Sequence, residues 1–137
     1  MTPKWVWEFL VPYIPHGEYI SEVFHGDGES TAILRSFGFV VKSHKHKDFY
    51  KLTRNDCGTL IVTNPPFSQR RFVLQKLKEL NIPFILILST DSLHSAKMFH
   101  FKEDLQIIIP PKQLAYRKRG DHETTLLRKF DHCFLFC

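Results

Sequence analysis

The chain has 137 residues, of which 43% are hydrophobic and 24% charged, enough for one full core and too short for a second domain. The net charge is +5 and the isoelectric point about 9.2, a balance that favours a polyanionic partner, nucleic acid first. No apolar run approaches the roughly 20 residues of a membrane span, and Met1-Thr2-Pro3-Lys4-Trp5 has no signal-peptide pattern. With Cys57, Cys133 and Cys137 odd in number and no CxxC pair, a disulfide framework is not expected. The expected location is therefore intracellular, cytoplasmic or nuclear.

In chain order, Thr2-Pro3 opens a helix, Thr2 suiting the N-cap and Pro3 the first helical position. Trp5, Phe9 and Leu10 form its expected apolar face, and Pro12 and Pro15 end it. Residues 19–24 read as the first strand, closed by His25-Gly26-Asp27-Gly28. Residues 30–37 read as a helix with Ala32, Ile33 and Leu34 inside, stopped by Gly38. Phe39-Val40-Val41 is a short strand, followed by a cationic connection from Lys42 to Lys47 in which His44 and His46 read as solvated. Residues 48–52 form a short strand or turn, with no room for a full helix before the next strand. Thr59-Leu60-Ile61-Val62-Thr63 is continuously apolar, as a strand buried on both faces would be. Pro65-Pro66 must end it. Residues 70–80 make an amphipathic helix with Phe72, Leu74, Leu77 and Leu80 available for burial. Residues 83–88 form a further strand, 92–101 a helix, 105–109 a strand, and 134–137 the last strand after a basic stretch. Strands alternating with helices mean α/β with a mainly parallel sheet, and the terminal strands are expected as an antiparallel hairpin.

Two segments carry candidate chemistry. The first runs from Glu22 through Phe24, Gly26, Asp27 and Gly28 to Ser30, where a strand turns into a helix. Glycines there let a ligand approach the backbone closely, and ligands of doubly wound sheets sit at strand carboxyl ends. A complete GxGxxG is absent, which argues against NAD or FAD, and there is no GxxxxGK[ST] phosphate loop. A bare strand-to-helix turn would use the same residues.

The second segment is Asn64-Pro65-Pro66-Phe67. A planar amine attacking an electrophilic methyl needs acceptors for its hydrogens and a clamp for its ring. The Asn64 side chain and the Pro65 carbonyl can accept, Pro-Pro stiffens the turn, and Phe67 can stack on a ring. Such catalysis works by positioning and electrostatics without a strong base. Alternatively, the segment is a proline turn with Phe67 in the core.

This order, an acidic-aromatic GxG bend followed by NPPF after an apolar strand, resembles the class I S-adenosylmethionine-dependent methyltransferases that modify exocyclic amines. Adenine-specific (N6) DNA and RNA methyltransferases are the most similar. The Thr2-Pro3 helix with Trp7 and the Asp48-Phe49-Tyr50 triplet resemble further motifs of that family. The resemblance implies a single minimal Rossmann-like methyltransferase domain over 1–137, without a target-recognition domain. It implies S-adenosylmethionine as cofactor, with Glu22, Phe24, Gly26, Asp27, Gly28, Asp48 and Phe49 around it. Asn64, Pro65, Pro66 and Phe67 would hold the target amine. Arg70, Arg71, Arg117, Lys118 and Arg119 are expected to meet nucleic-acid phosphates, and no metal is expected. A protein partner supplying target recognition is compatible with so short a chain.

The sequence departs from the family in two places. No acidic residue closes the second strand, where Lys42-Ser43-His44-Lys45 stands, and the helix between strands two and three is missing. These departures and the basic stretch motivate one alternative, a catalytically inactive nucleic-acid-binding module on the same fold; a second is a protein glutamine amide methyltransferase, since side-chain glutamine also presents a planar amine.

Overall fold

A computed structural model describes residues 2–89 and 105–111, with the backbone alone of Phe67 and of 114–115, 129–130 and 132–136. The expected helix at 92–101, Arg117, Lys118, Arg119 and the side chain of Phe67 lie outside the described residues.

The sheet is built outward from the two most apolar segments. Strands β1 (Tyr19–Glu22), β2 (Val40–Ser43), β3 (Leu60–Thr63) and β4 (Phe84–Ser89) are parallel neighbours in the order β2-β1-β3-β4. Beyond β4, β5 (Gln106–Ile108) and β8 (His132–Phe136) complete the sheet, with β8 antiparallel to both β4 and β5. This is the expected terminal antiparallel pairing. A second, two-stranded ladder joins β6 (Leu114–Ala115) to β7 (Lys129–Phe130).

Both faces of β3 and β4 are buried, and the alternation of a strand decides which residue faces which layer. Ile61, Phe84, Leu86 and Leu88 face one way, onto Val73, Leu74, Leu77 and Leu80 of helix α3 (Arg70–Leu80). Leu60, Val62, Ile85 and Ile87 face the other way, onto Val6, Trp7 and Leu10 of α1 (Lys4–Leu10) and Leu34 of α2 (Glu29–Ser36). The result is a three-layer α/β/α arrangement with a Rossmann-like parallel sheet. Among the described residues, no helix is long and apolar enough to cross a membrane.

Several local expectations are corrected. Pro3, not Thr2, is the N-cap of α1, and it has no side-chain cap hydrogen bond. Trp7 is fully buried, while Trp5 and Phe9 pack only at the edge of the core. In α2 the buried residues are Thr31 and Leu34, and Ala32 is exposed. In α3 the buried stripe starts at Val73, which turns Phe72 out to 60% exposure. Each residue of a helix advances about 100°, so a one-residue shift in the start of the stripe is enough to put Phe72 outside. Residues 49–51 form a 3-10 turn capped by Asp48, and a second such turn covers Arg54–Asp56. Both agree with the expected short turn and the absence of a full helix before β3. The turn before β3 is sterically fixed: a Cβ on Gly58 would stand 2.0 Å from the Tyr19 carbonyl oxygen.

Candidate functional site

Strand order reverses between β1 and β3. The chain leaves β1 through α2 to reach β2 on one side, then returns to place β3 on the other. The carboxyl ends of β1 and β3 therefore open a crevice that nothing in the sheet fills, the place where doubly wound folds bind ligands. Glu22 ends β1, and Thr63 ends β3, with Asn64 next.

The crevice has two joined parts that share Phe24, His25 and Gly26. The inner part, about 300 Å³, is lined by Thr2, Glu22, Asp27, Ser30 and Asn64 as well. It brings the glycine bend and the asparagine of NPPF into one cleft. Its chemistry is dominated by oxygen acceptors and two carboxyl groups. The outer part, about 590 Å³, runs past the end of β2 and includes the 44–47 segment, Asp48, Phe49, Tyr50 and Gln69. Here the floor is aromatic. The Phe24 and Phe49 rings are 4.8 Å apart between centroids, and Phe49 meets Tyr50 edge-on at 5.2 Å. One end of the crevice thus suits a cationic or hydrogen-bond-donating group and the other a flat ring.

Glu22 is 1% exposed. Its Oε1 accepts from the Thr63 hydroxyl and from the Phe24 N–H at 3.0 Å. Burial outweighs those hydrogen bonds and pushes its pKa up to about 8, so the carboxyl is mostly protonated at neutral pH. A cation placed against it would draw the pKa down again.

Asn64 is half-buried. Its Nδ2 donates to the Thr2 hydroxyl at 2.7 Å, while its Oδ1 is buried with no hydrogen-bond partner. A buried carbonyl oxygen left unmet costs about 1–3 kcal/mol, so Asn64 carries an unused acceptor on a residue that lines the cleft. Pro65 behind it is buried and Pro66 exposed. The Gln69 N–H then donates to the Pro66 carbonyl at 3.0 Å, closing the turn into α3.

The bend holds a feature not visible in its glycines. Gly28 has φ +87 and caps α2, and its N–H donates to the His25 carbonyl at 2.8 Å. A Cβ there would stand 2.9 Å from Cε1 of His25. Gly28 lines neither part of the crevice; its missing side chain makes room for the imidazole of His25. That ring is held from the other side by Ser43 Oγ, which hydrogen-bonds its Nδ1. Asp27 lines the inner cleft, and its Oδ1 accepts from the Glu29 N–H at 3.1 Å.

Asp48 and Phe49 both border the outer part. Asp48 Oδ1 accepts from the Tyr50 N–H at 3.0 Å, so its cap role leaves the other oxygen to a ligand. Phe49 is 3% exposed and belongs to the core as much as to the crevice wall. His44, expected in a solvated loop, is instead buried, with Nε2 3.3 Å from Ser21 Oγ. Burial first, then Lys42 and Lys47, hold its pKa below the usual histidine value. Ser21 Oγ also accepts from the Gly58 N–H at 2.8 Å, which ties His44 to the turn before β3. Lys47 is engaged by Asp56 at 2.6 Å.

No protein-family profile matches the sequence, and no curated protein is significantly similar to it. The fold does have solved counterparts. The crystal structure of Thermoplasma acidophilum 1320 superposes with a TM-score of 0.50 at 11% identity, over 96% of this chain and 80% of that one. The tRNA (m1A58) methyltransferase TrmI from Aquifex aeolicus gives 0.48 at 12% identity, over 99% and 69%. The S. pombe Dnmt2 methyltransferase gives 0.47 at 14%, over 85% of this chain and 48% of the other, so the chain spans about half of that protein's length. At these identities the likeness concerns the fold alone.

Of the site residues expected from sequence, Glu22, Phe24, Gly26, Asp27 and Asn64 meet in the inner cleft, and Asp48 and Phe49 join in the outer part. Arg70 and Arg71 stand in the first turn of α3, directly after the NPPF turn. Thr2, His25 and Thr63 were missed. His25 was legible only as a loop residue inside the bend. Thr2 stands in the Thr2-Pro3 motif, but its bond to Asn64 had no local signal, because the two are 62 residues apart.

Proposed function

We propose that this chain, as a single minimal domain over 1–137, is an S-adenosylmethionine-dependent methyltransferase acting on an exocyclic amine of a nucleic-acid base, adenine N6 first. The observation that carries the reading is the inner cleft, where Glu22 and Gly26 from one strand end and Asn64 from the other line the same space. Its two carboxyl groups, joined to an aromatic outer floor, suit a ligand cationic at one end and flat at the other.

When bound, S-adenosylmethionine supplies an electrophilic methyl on a sulfonium. Glu22 and Asp27 balance positive charge in the inner cleft, Glu22 by giving up the proton it holds there. Gly26, with φ +55, takes a left-handed bend that side-chain-bearing residues rarely adopt, on the wall shared by both parts of the crevice. Phe49 and Asp48 offer a ring face and an acceptor in the outer part. Asn64 Oδ1 accepts an N–H of the target amine and so orients the nitrogen lone pair, with Pro65 and Pro66 holding the turn rigid and Phe67 stacking on the base. No strong base is needed for this arrangement, because a planar amine sheds its extra proton readily once methylated.

Nucleic acid as the substrate rests on charge. Arg70 and Arg71 occupy the first turn of α3, where no acidic residue stands. Cations are disfavoured at that end of a helix by its dipole, so these residues carry a small cost that phosphate binding would offset. Arg117, Lys118 and Arg119, outside the described residues, are the other cations expected from sequence to meet phosphates. The test is calorimetric titration with S-adenosylmethionine, followed by transfer of labelled methyl to oligonucleotides and identification of the modified base. Label found instead in glutamine of a protein substrate would move the target, and absence of both binding and transfer would overturn the enzyme reading.

A second reading has its own observation. The end of β2 carries Ser43, His44 and Lys45 with no carboxylate, and the outer crevice is rimmed by lysines. A domain that binds nucleic acid without catalysis would show salt-dependent binding and no cofactor uptake.

A further inference from the structure

The hydrogen bond between Thr2 and Asn64 joins the segment before α1 to the end of β3, 62 residues apart in the chain. Thr2 is 7% exposed and lines the inner cleft beside Asn64. Its hydroxyl oxygen is 2.7 Å from Asn64 Nδ2, and the opposite end of that amide, Oδ1, is buried and has no partner. An asparagine side chain is nearly symmetric in shape, and a half-turn about its last bond exchanges a donor for an acceptor. Whichever end is anchored therefore decides what the other end offers.

We infer that Thr2 is a positioning residue for Asn64: by accepting from Nδ2 it fixes which way the amide is turned, and with it where the acceptor Oδ1 sits. The inference rests on the methyltransferase reading for its consequence, but not for its geometry. The hold is stiff because Thr2 directly precedes Pro3, the N-cap of α1, and α1 is anchored by the fully buried Val6, Trp7 and Leu10. The orientation of the Asn64 amide is thus set from the N-terminal side of the chain. A hydroxyl can serve as donor or acceptor, so the direction of this bond is the testable content.

The test compares the full chain with Thr2→Val and Thr2→Ser. The first reading is the side-chain amide of Asn64 in nitrogen-15 proton spectra, assigned by its disappearance in Asn64→Asp. In the parent protein one amide proton is expected to be shifted and slow to exchange. Thr2→Val should remove both properties and Thr2→Ser keep them. An Asn64 amide with free, fast-exchanging protons in the parent chain overturns the inference, as does an unchanged amide in Thr2→Val. The second reading is methyl transfer. Thr2→Val should lower kcat about 10- to 100-fold with the KM for S-adenosylmethionine unchanged, as misplacement of a positioning group does. Thr2→Ser should stay within about 3-fold of the parent. Equal kcat in Thr2→Val and parent also overturns it. If the parent chain transfers no methyl at all, the function proposed above fails, while the amide spectra still decide the role of Thr2.

Discussion

The imidazole of His25 lies over Gly28, with Cε1 2.9 Å from the point where a side chain at Gly28 would begin. A glycine in a strand-to-helix bend is usually credited to a ligand; here the vacated space is taken by the protein's own ring. Gly28→Ala then carries two separable costs, strain at φ +87 and collision with His25. We expect it to lower stability by about 1–3 kcal/mol. In a His25→Ala background the same change should cost clearly less, since only the strain remains. Urea unfolding of the four members of this cycle measures the difference, and a penalty independent of His25 would show that the ring's position over Gly28 carries no energy.

Gly58 gives a sharper case, because the obstacle is backbone. The Tyr19 carbonyl oxygen sits 2.0 Å from its notional Cβ, and the Thr59 N–H donates to the same oxygen at 2.8 Å. Neither group can move without pulling β3 from β1. Gly58→Ala should destabilise by about 2–4 kcal/mol, read as a drop in Tm, whereas Gly17→Ala meets nothing within 4 Å and carries only the strain of its φ of +84.

Protonation of Glu22 links stability to pH with a definite sign. Its ordinary value is 4.5 and burial raises it to about 8 in the folded chain. Below 4.5 both states hold the proton and stability is at its full value. Between 4.5 and about 8 the unfolded chain releases a proton that the folded one keeps, so stability falls as pH rises, and above about 8 the decline is complete. Glu22→Gln, which mimics the protonated acid, should abolish its share of this slope and be more stable than the parent at about pH 8. Chemical denaturation at about pH 5 and pH 8 checks both points. In the parent chain, calorimetry in buffers of different ionisation heat should detect proton release when a cationic ligand binds near neutral pH.

Asn64→Ala separates chemistry from binding. Removing the acceptor should reduce methyl transfer by about 10²–10³-fold, the usual effect of deleting one preorganised polar group. Cofactor affinity, measured by calorimetry, should change little. Transfer at the parent rate would remove Asn64 from the mechanism.

For Arg70 and Arg71 the relevant measurement is the salt dependence of oligonucleotide binding. Deleting one phosphate-binding side chain should reduce the slope of log K against log salt by about 0.7–0.9. Arg70→Ala and Arg71→Ala are expected to weaken binding alike for all sequences, as happens when a group that meets only the phosphate backbone is removed. An unchanged slope would return both residues to the role of solvated helix charges.

Much of the framework was legible because it is written in short-range patterns. The apolar run 59–63 and the period of 70–80 specify β3 and α3 within a residue or so, since alternation and helical pitch act over a few neighbours. Phe72 shows where that logic stops. Its hydrophobicity suited the buried stripe, but the sheet receives α3 on Val73 and Leu74, and rotation of the helix against its partner layer is not a local property.

By itself, then, the sequence determined the alternation of strands and helices, the two motif-bearing turns and the positive charge beside one of them, because each depends on residues adjacent in the chain. Only the tertiary structure decided that β1 and β3 are neighbours with their carboxyl ends forming one crevice. It also decided that burial keeps the Glu22 carboxyl protonated, that His25 fills the space over Gly28, and that Thr2 holds Asn64 across 62 residues. Those four relations depend on strand order and on the exclusion of water, which exist only once distant segments have packed.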